Sequence, residues 1–248
     1  MKKYLITLIA ILVFSPFFLY LHSQEKNGNP IHTAGSVLSI GPDARVGGMG
    51  DAGVASLPNV YSQHWNVAKY PFAESKIGAG LTYTPWLTKV ADDMALMNAV
   101  GFYKLGDGNQ AISASVKYFK IGDFGTIYSD DFMSQYGAGS PYEMSVDLGY
   151  SRKLSNSLST GVAFRYVRFD YTGLDEEIDV SNLLSVDIGM YHERYINIGD
   201  HETLLSIAGN ISNITASKVK LTENGYESFI PTNLGIGASI LYPLANNS

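Results

Sequence analysis

The 248-residue chain has no cysteine, little charge and, past its first two dozen residues, no long apolar run. Without cysteine there is no disulfide framework, no thiolate metal site and no lipid-anchoring residue after the leading apolar stretch. Charged residues make up 16% of the chain and the formal net charge is −6, which lacks the basic excess of a nucleic-acid binder. No stretch beyond residue 23 can form a spanning helix, so a membrane could be entered only by strands closed into a barrel. The five histidines, His22, His32, His64, His192 and His201, show no metal-ligand spacing. The acids Asp130, Asp131, Asp175, Glu176, Glu177 and Asp179 lack the spaced pattern of a calcium loop. No nucleophile motif is present, and neither enzyme chemistry nor a cofactor is expected.

What is present is tyrosine (17 residues) and glycine (25 residues), a balance that suits lipid-facing strands with interfacial rings. Residues 1–23 read as a secretory signal, with Lys2 and Lys3 before an apolar stretch that ends near Ser23. A retained anchor is the alternative. Removing these residues takes the formal charge from −6 to −8.

From residue 76 the chain alternates apolar and polar in eight runs: 76–86, 94–105, 110–121, 142–154, 158–171, 180–196, 203–214 and 233–242. About ten residues is what a tilted strand needs to cross a bilayer. Connections after odd-numbered runs are long and polar. Those after even-numbered runs are tight, as at Gly106-Asp107-Gly108 and Ser155-Asn156-Ser157. Such sorting predicts an all-β, antiparallel transmembrane barrel with short periplasmic turns and long outer loops.

In the third run Ile112, Ala114, Val116 and Tyr118 share one face, against Ser113, Ser115 and Lys117. In the fourth, Met144, Val146, Leu148 and Tyr150 oppose Ser145, Asp147, Gly149 and Ser151. The second run is apolar on both faces. Lys117, Asp147, Arg165 and Asp187 lie at similar distances from their short turns, which predicts a lumenal ladder of alternating charge.

Gly48-Met49-Gly50-Asp51-Ala52-Gly53 matches a dinucleotide fingerprint in its glycines, but no flanking strand or βαβ unit supports it. A tight small-residue segment, able to sit against a barrel's inner wall, is the better reading. Asn210 and Asn213 open glycosylation patterns that carry little meaning in an outer-membrane strand.

Pro42-Asp43-Ala44-Arg45-Val46-Gly47-Gly48-Met49-Gly50, Ser62-Gln63-His64-Trp65-Asn66 and Tyr83-Thr84-Pro85-Trp86 resemble the PorV family of type IX secretion proteins, within the FadL-like barrel superfamily. Val67 stands where the superfamily usually has proline. The resemblance implies an outer-membrane barrel of fourteen strands, about eight of them present, with residues 24–72 forming a lead and lumenal plug and 73–248 the barrel. It marks Arg45, Gly48, Met49, Gly50, Trp65 and Asn66 as plug-motif residues. It also implies a role: accepting cargo with a C-terminal sorting domain from a SprA-type translocon and passing it to a PorU-type sortase complex. Phe124, Tyr128, Phe132, Met133 and Tyr136, on the longest loop, are the candidate partner contacts, with residues 174–179 as a further candidate. A FadL-like channel for hydrophobic small molecules and a purely structural barrel are the alternatives. The chain stops at Ser248 inside an expected turn, so a truncated barrel is expected ahead of an eight-stranded closure.

Overall fold

The computed structural model describes residues 33–87, 93–123, 127–128, 135–136, 139–172, 178–199, 201–222 and 227–243. The proposed signal segment lies outside them. Among the described residues there are ten strands: β1 (Ile77–Pro85), β2 (Ala95–Leu105), β3 (Gln110–Lys120), β4 (Ile127–Tyr128), β5 (Gln135–Tyr136), β6 (Tyr142–Lys153), β7 (Leu158–Asp170), β8 (Ser181–Ile198), β9 (His201–Ile214) and β10 (Asn233–Leu241). Eight form one sheet in the order β1-β2-β3-β6-β7-β8-β9-β10, each strand antiparallel to its sequence neighbour in the sheet. β4 and β5 pair with each other inside the long connection after β3. The sheet curls into a half-barrel whose edges are β1 and β10.

The alternation explains the wall. Its outer face carries Leu81, Leu148, Phe164, Leu184, Ile188, Ile207 and Ile236, all exposed, with Leu81 at 83%. Its inner face buries Ser113, Ser115, Lys117, Ser145, Asp147, Arg165, Ser185, Asp187 and Asn210, with Arg165 at 4%. A water-soluble domain places these classes the other way round. The connections follow the expected parity. The short ones span 106–109 and 154–157 and the step from Ile198 to His201, where Gly199 takes a left-handed φ of 62°.

Residues 33–73 run along the concave face as a plug. It contains a short 3₁₀ turn (Ser36–Ser39), helix α1 (Ala44–Gly48), helix α2 (Ser62–Trp65) and a second 3₁₀ turn (Val67–Phe72). Inside the wall, near the long-loop end, Val37 and Leu38 of the plug join Leu96, Phe119, Val167, Phe169 and Leu183 in an apolar core. Nearer the short turns, Val67 and Tyr70 pack with Phe102, Ala111 and Ala163. This explains the doubly apolar second run: Leu96, Val100 and Phe102 point inward and are buried, Leu96 and Phe102 in these two cores, and Phe102 stacks on Tyr70 at 4.6 Å.

Candidate functional site

Three sets of contacts organise the lumen: one within the plug, one between plug and wall, and one within the wall itself. The first is internal. Asp43 caps α1, its Oδ1 accepting from Val46 N–H at 2.6 Å, and its Oδ2 accepts from Trp65 Nε1 at 3.2 Å. One carboxylate thus ties the Pro42–Gly50 motif to the Ser62–Trp65 motif. The Trp65 indole fills the space over Gly53, where a Cβ would collide with it.

The second set joins plug to wall through a groove of small residues. Gly149, Gly161 and Gly189 face inward on β6, β7 and β8. A Cβ on Gly149 or Gly161 would come within 2.7 or 2.8 Å of Val67, and one on Gly189 would collide with Asn66. Asn66 turns the chain here: its Oδ1 accepts from Ala68 N–H at 3.0 Å and its Nδ2 donates to the Met190 carbonyl at 3.0 Å. The Ser159 hydroxyl donates to the Ala68 carbonyl. Val54 packs on Gly235 of β10, with 3.8 Å between its Cβ and the position of a Cβ there.

The third set is ionic. Arg165 Nε donates to Asp147 Oδ1 at 2.7 Å, and its Nη2 lies 2.9 Å from Asp187 Oδ2. Asn213 closes the cluster. Its Oδ1 accepts from Arg165, its N–H donates to Asp187 at 2.7 Å, and its Nδ2 donates to the Pro231 carbonyl at 2.8 Å. Asn213 reaches inward because β9 has a bulge opposite Val186 and Ile188, with Asn213 at φ 58°.

All four residues of the expected ladder point inward and are buried. They do not form one ladder. Asp147 stands directly opposite Arg165, but Lys117 faces Ser145, and Ser115 is the residue opposite Asp147. Ser115 Oγ donates to Asp147 at 2.8 Å. Lys117 turns to the plug, donating to the carbonyls of Ile40 at 2.9 Å and Val37 at 3.3 Å and to His64 Nδ1 at 3.2 Å. The reason is stagger. β6 and β7 share a short turn, so equal distance from it means equal height. β3 and β6 are joined by a long connection, and the shear of the curled sheet sets their register. The same two-residue offset separates Arg165 from Asp187, which faces Ala163, and the length of arginine spans it.

The plug's titratable groups are tuned by burial. Desolvation, with Lys117 beside it, holds His64 well below its usual value, which keeps Nδ1 an acceptor. Burial pushes the Lys69 ammonium down to about 7, against the pull of Asp43; Lys69 donates to the Gly53 carbonyl at 2.8 Å and to Ser56 Oγ at 3.2 Å. Burial pushes the Tyr70 hydroxyl up. Among the described residues no His, Asp and Glu converge in a metal-binding group.

The plug motif divides. Trp65 and Asn66 are packed as described, whereas Arg45, Gly48, Met49 and Gly50 are exposed. Nothing lies within 4 Å of a Cβ placed on Gly47, Gly48 or Gly50. Within the segment 47–55 expected against the inner wall, the contact is made by Val54 and Ala55 and not by Gly47, Gly48 or Gly50; residues 66–68 add to it. Phe124, Phe132 and Met133, and residues 174–177 of the acidic loop, lie outside the described residues. Tyr128 and Tyr136 fall in the β4–β5 pair, where Ile127 is opposite Tyr136 and Tyr128 opposite Gln135.

A family model described as type IX secretion system protein PorV matches residues 22–248. No curated protein matches the chain.

Proposed function

Because the chain belongs to the PorV family of type IX secretion system proteins, whose members are outer-membrane components, we propose that it is an integral barrel of that membrane which receives secreted cargo and hands it on. The inverted wall supports the membrane placement. Its exposed apolar band lies between outward tyrosines at two levels: Tyr83, Tyr118, Tyr142 and Tyr166 toward the long loops, and Tyr103 and Tyr150 toward the short turns. From Tyr142 to Tyr150, at roughly 3.4 Å per residue and a tilt of ~40°, the band is about 20 Å tall, near the ~25 Å of outer-membrane barrels.

The plugged lumen is the observation that carries the role. With the Arg165 cluster fully paired, the plug seated in its groove and an apolar core toward the long-loop end, the interior is a poor solute path. Function then falls to the exposed surface. The partners are cargo C-terminal sorting domains, a SprA-type translocon and a PorU-type sortase complex, with outer-membrane lipid around the wall. The long connection between β3 and β6 is the contact of choice. Deleting residues 124–136 is expected to abolish surface attachment of cargo while the barrel still inserts at wild-type level, read by cell-surface labelling and membrane fractionation. Normal attachment in that deletion refutes the loop assignment. Recovery of translocon or sortase with the wild-type protein from native membranes tests the partners.

One observation favours the second reading, a channel for hydrophobic small molecules. A cavity of about 470 Å³ lies between the plug and β10, bordered by Leu38, Val54 and Trp65 but also by the polar His64, Arg165, Asn210 and Asn213. Lipid copurifying inside the barrel would support it.

A further inference from the structure

A second, much smaller cavity lies in the seam between α2 and the wall. Gln63 and His64 border it from the plug; Asn98, Ser115, Lys117 and Asp147 border it from β2, β3 and β6. Gln63 and Asn98 are 2% and 5% exposed. Among the described residues neither Gln63 Nε2 nor Asn98 Nδ2 has a hydrogen-bond partner. The Gln63 amide is oriented by its other end, because Oε1 accepts from the Ser113 hydroxyl. Two desolvated amide donors bordering one polar cavity are costly unless an acceptor stands between them.

We propose that this seam holds one permanently bound water, accepting from Gln63 Nε2 and Asn98 Nδ2 and donating to the Asp147 carboxylate. The cavity leaves about 10 Å³ for the centre of a water molecule, and a single buried water needs roughly 10–15 Å³ by that measure, with two to four polar partners. Lys117 and Asp147 border the cavity together, so their opposite charges offset each other and favour a neutral ligand. The water links plug to wall at the point where Lys117 also donates to His64 Nδ1. It is therefore a structural part of the seam between plug and wall and not solvent passing through a pore.

A density map of the whole protein that resolves other buried waters tests the site. The expected result is one peak within about 3.2 Å of both amide nitrogens. The peak should be absent in Asn98→Leu and in Gln63→Leu, with the Lys117–His64 contact intact. No peak in the wild-type cavity overturns the proposal. So does an anomalous peak there after bromide exchange, which would identify a halide site, or a peak that survives both substitutions.

Discussion

The two faces of this wall follow opposite rules. Outside, the large apolar residues are exposed, with Leu148 at 63% and Phe164 at 61%. Inside, at the same heights, Asp147 and Arg165 are 4% exposed each. Under the proposed membrane placement the outer face needs no specific partner, because lipid accepts any apolar side chain. The inner face needs every partner, because each charge there has lost its water. The inner face should thus be intolerant of single changes in chemistry and size, and the outer face intolerant only of charge.

Breaking the inner cluster should have the largest effect. Arg165→Leu strands Asp147 and Asp187 and is expected to destabilise the barrel by about 3–5 kcal/mol, the usual result of removing one partner of a buried ion pair. Denaturant titration in detergent or lipid reads it. A loss below about 1 kcal/mol would mean that water reaches the cluster. On the outer face, Leu148→Arg is expected to cost about 2–4 kcal/mol in a bilayer, as for a midplane lipid-facing site. The isosteric Leu148→Met should be near neutral. If Leu148→Arg is equally tolerated, that face does not meet lipid.

Size comes next. Gly161→Val forces a side chain into the space of Val67, at an overpacking cost of about 1–3 kcal/mol, and should make residues 33–73 sensitive to protease. Gly47→Ala, with nothing within 4 Å, should not. The remaining expectation is a pH slope. Lys69 titrates at about 7 in the fold against 10.5 when free, so between those values the unfolded state holds the extra proton. Stability should rise with pH across that window, by at most about 1.4 kcal/mol per unit. Below 7 both states are charged and the slope vanishes. Lys69→Met should flatten it.

Most of the wall was legible because a two-residue period survives in the sequence. Strand positions, loop parity and the inward placement of the four charges all follow from it. Three features were less accessible. Lys117 stands two residues out of register with Asp147, because distance from a turn fixes height only within a hairpin, and β3 and β6 are not one. The inward turn of Asn213 leaves a faint signal: Ile214 follows Ile211 by three residues, which breaks the period and marks a bulge. The apolar core near the long loops also left a trace, since Leu96-Met97, Tyr118-Phe119, Tyr166-Val167 and Leu183-Leu184 put apolar residues on both faces toward that end. The groove under residues 66–68 could not be read, because a small residue on an inner face does not say what fills the space above it.

The proposed function requires a plug that fills the lumen and stays in place while the outer surface works. A disulfide between Val54→Cys and Gly235→Cys tests it directly. Their Cβ positions are 3.8 Å apart, the usual spacing for such a bridge, and the native chain has no cysteine to interfere. The oxidised double variant is expected to deliver and attach cargo at the wild-type level. Loss of attachment on oxidation that returns on reduction would mean the plug must move, and would contradict the account.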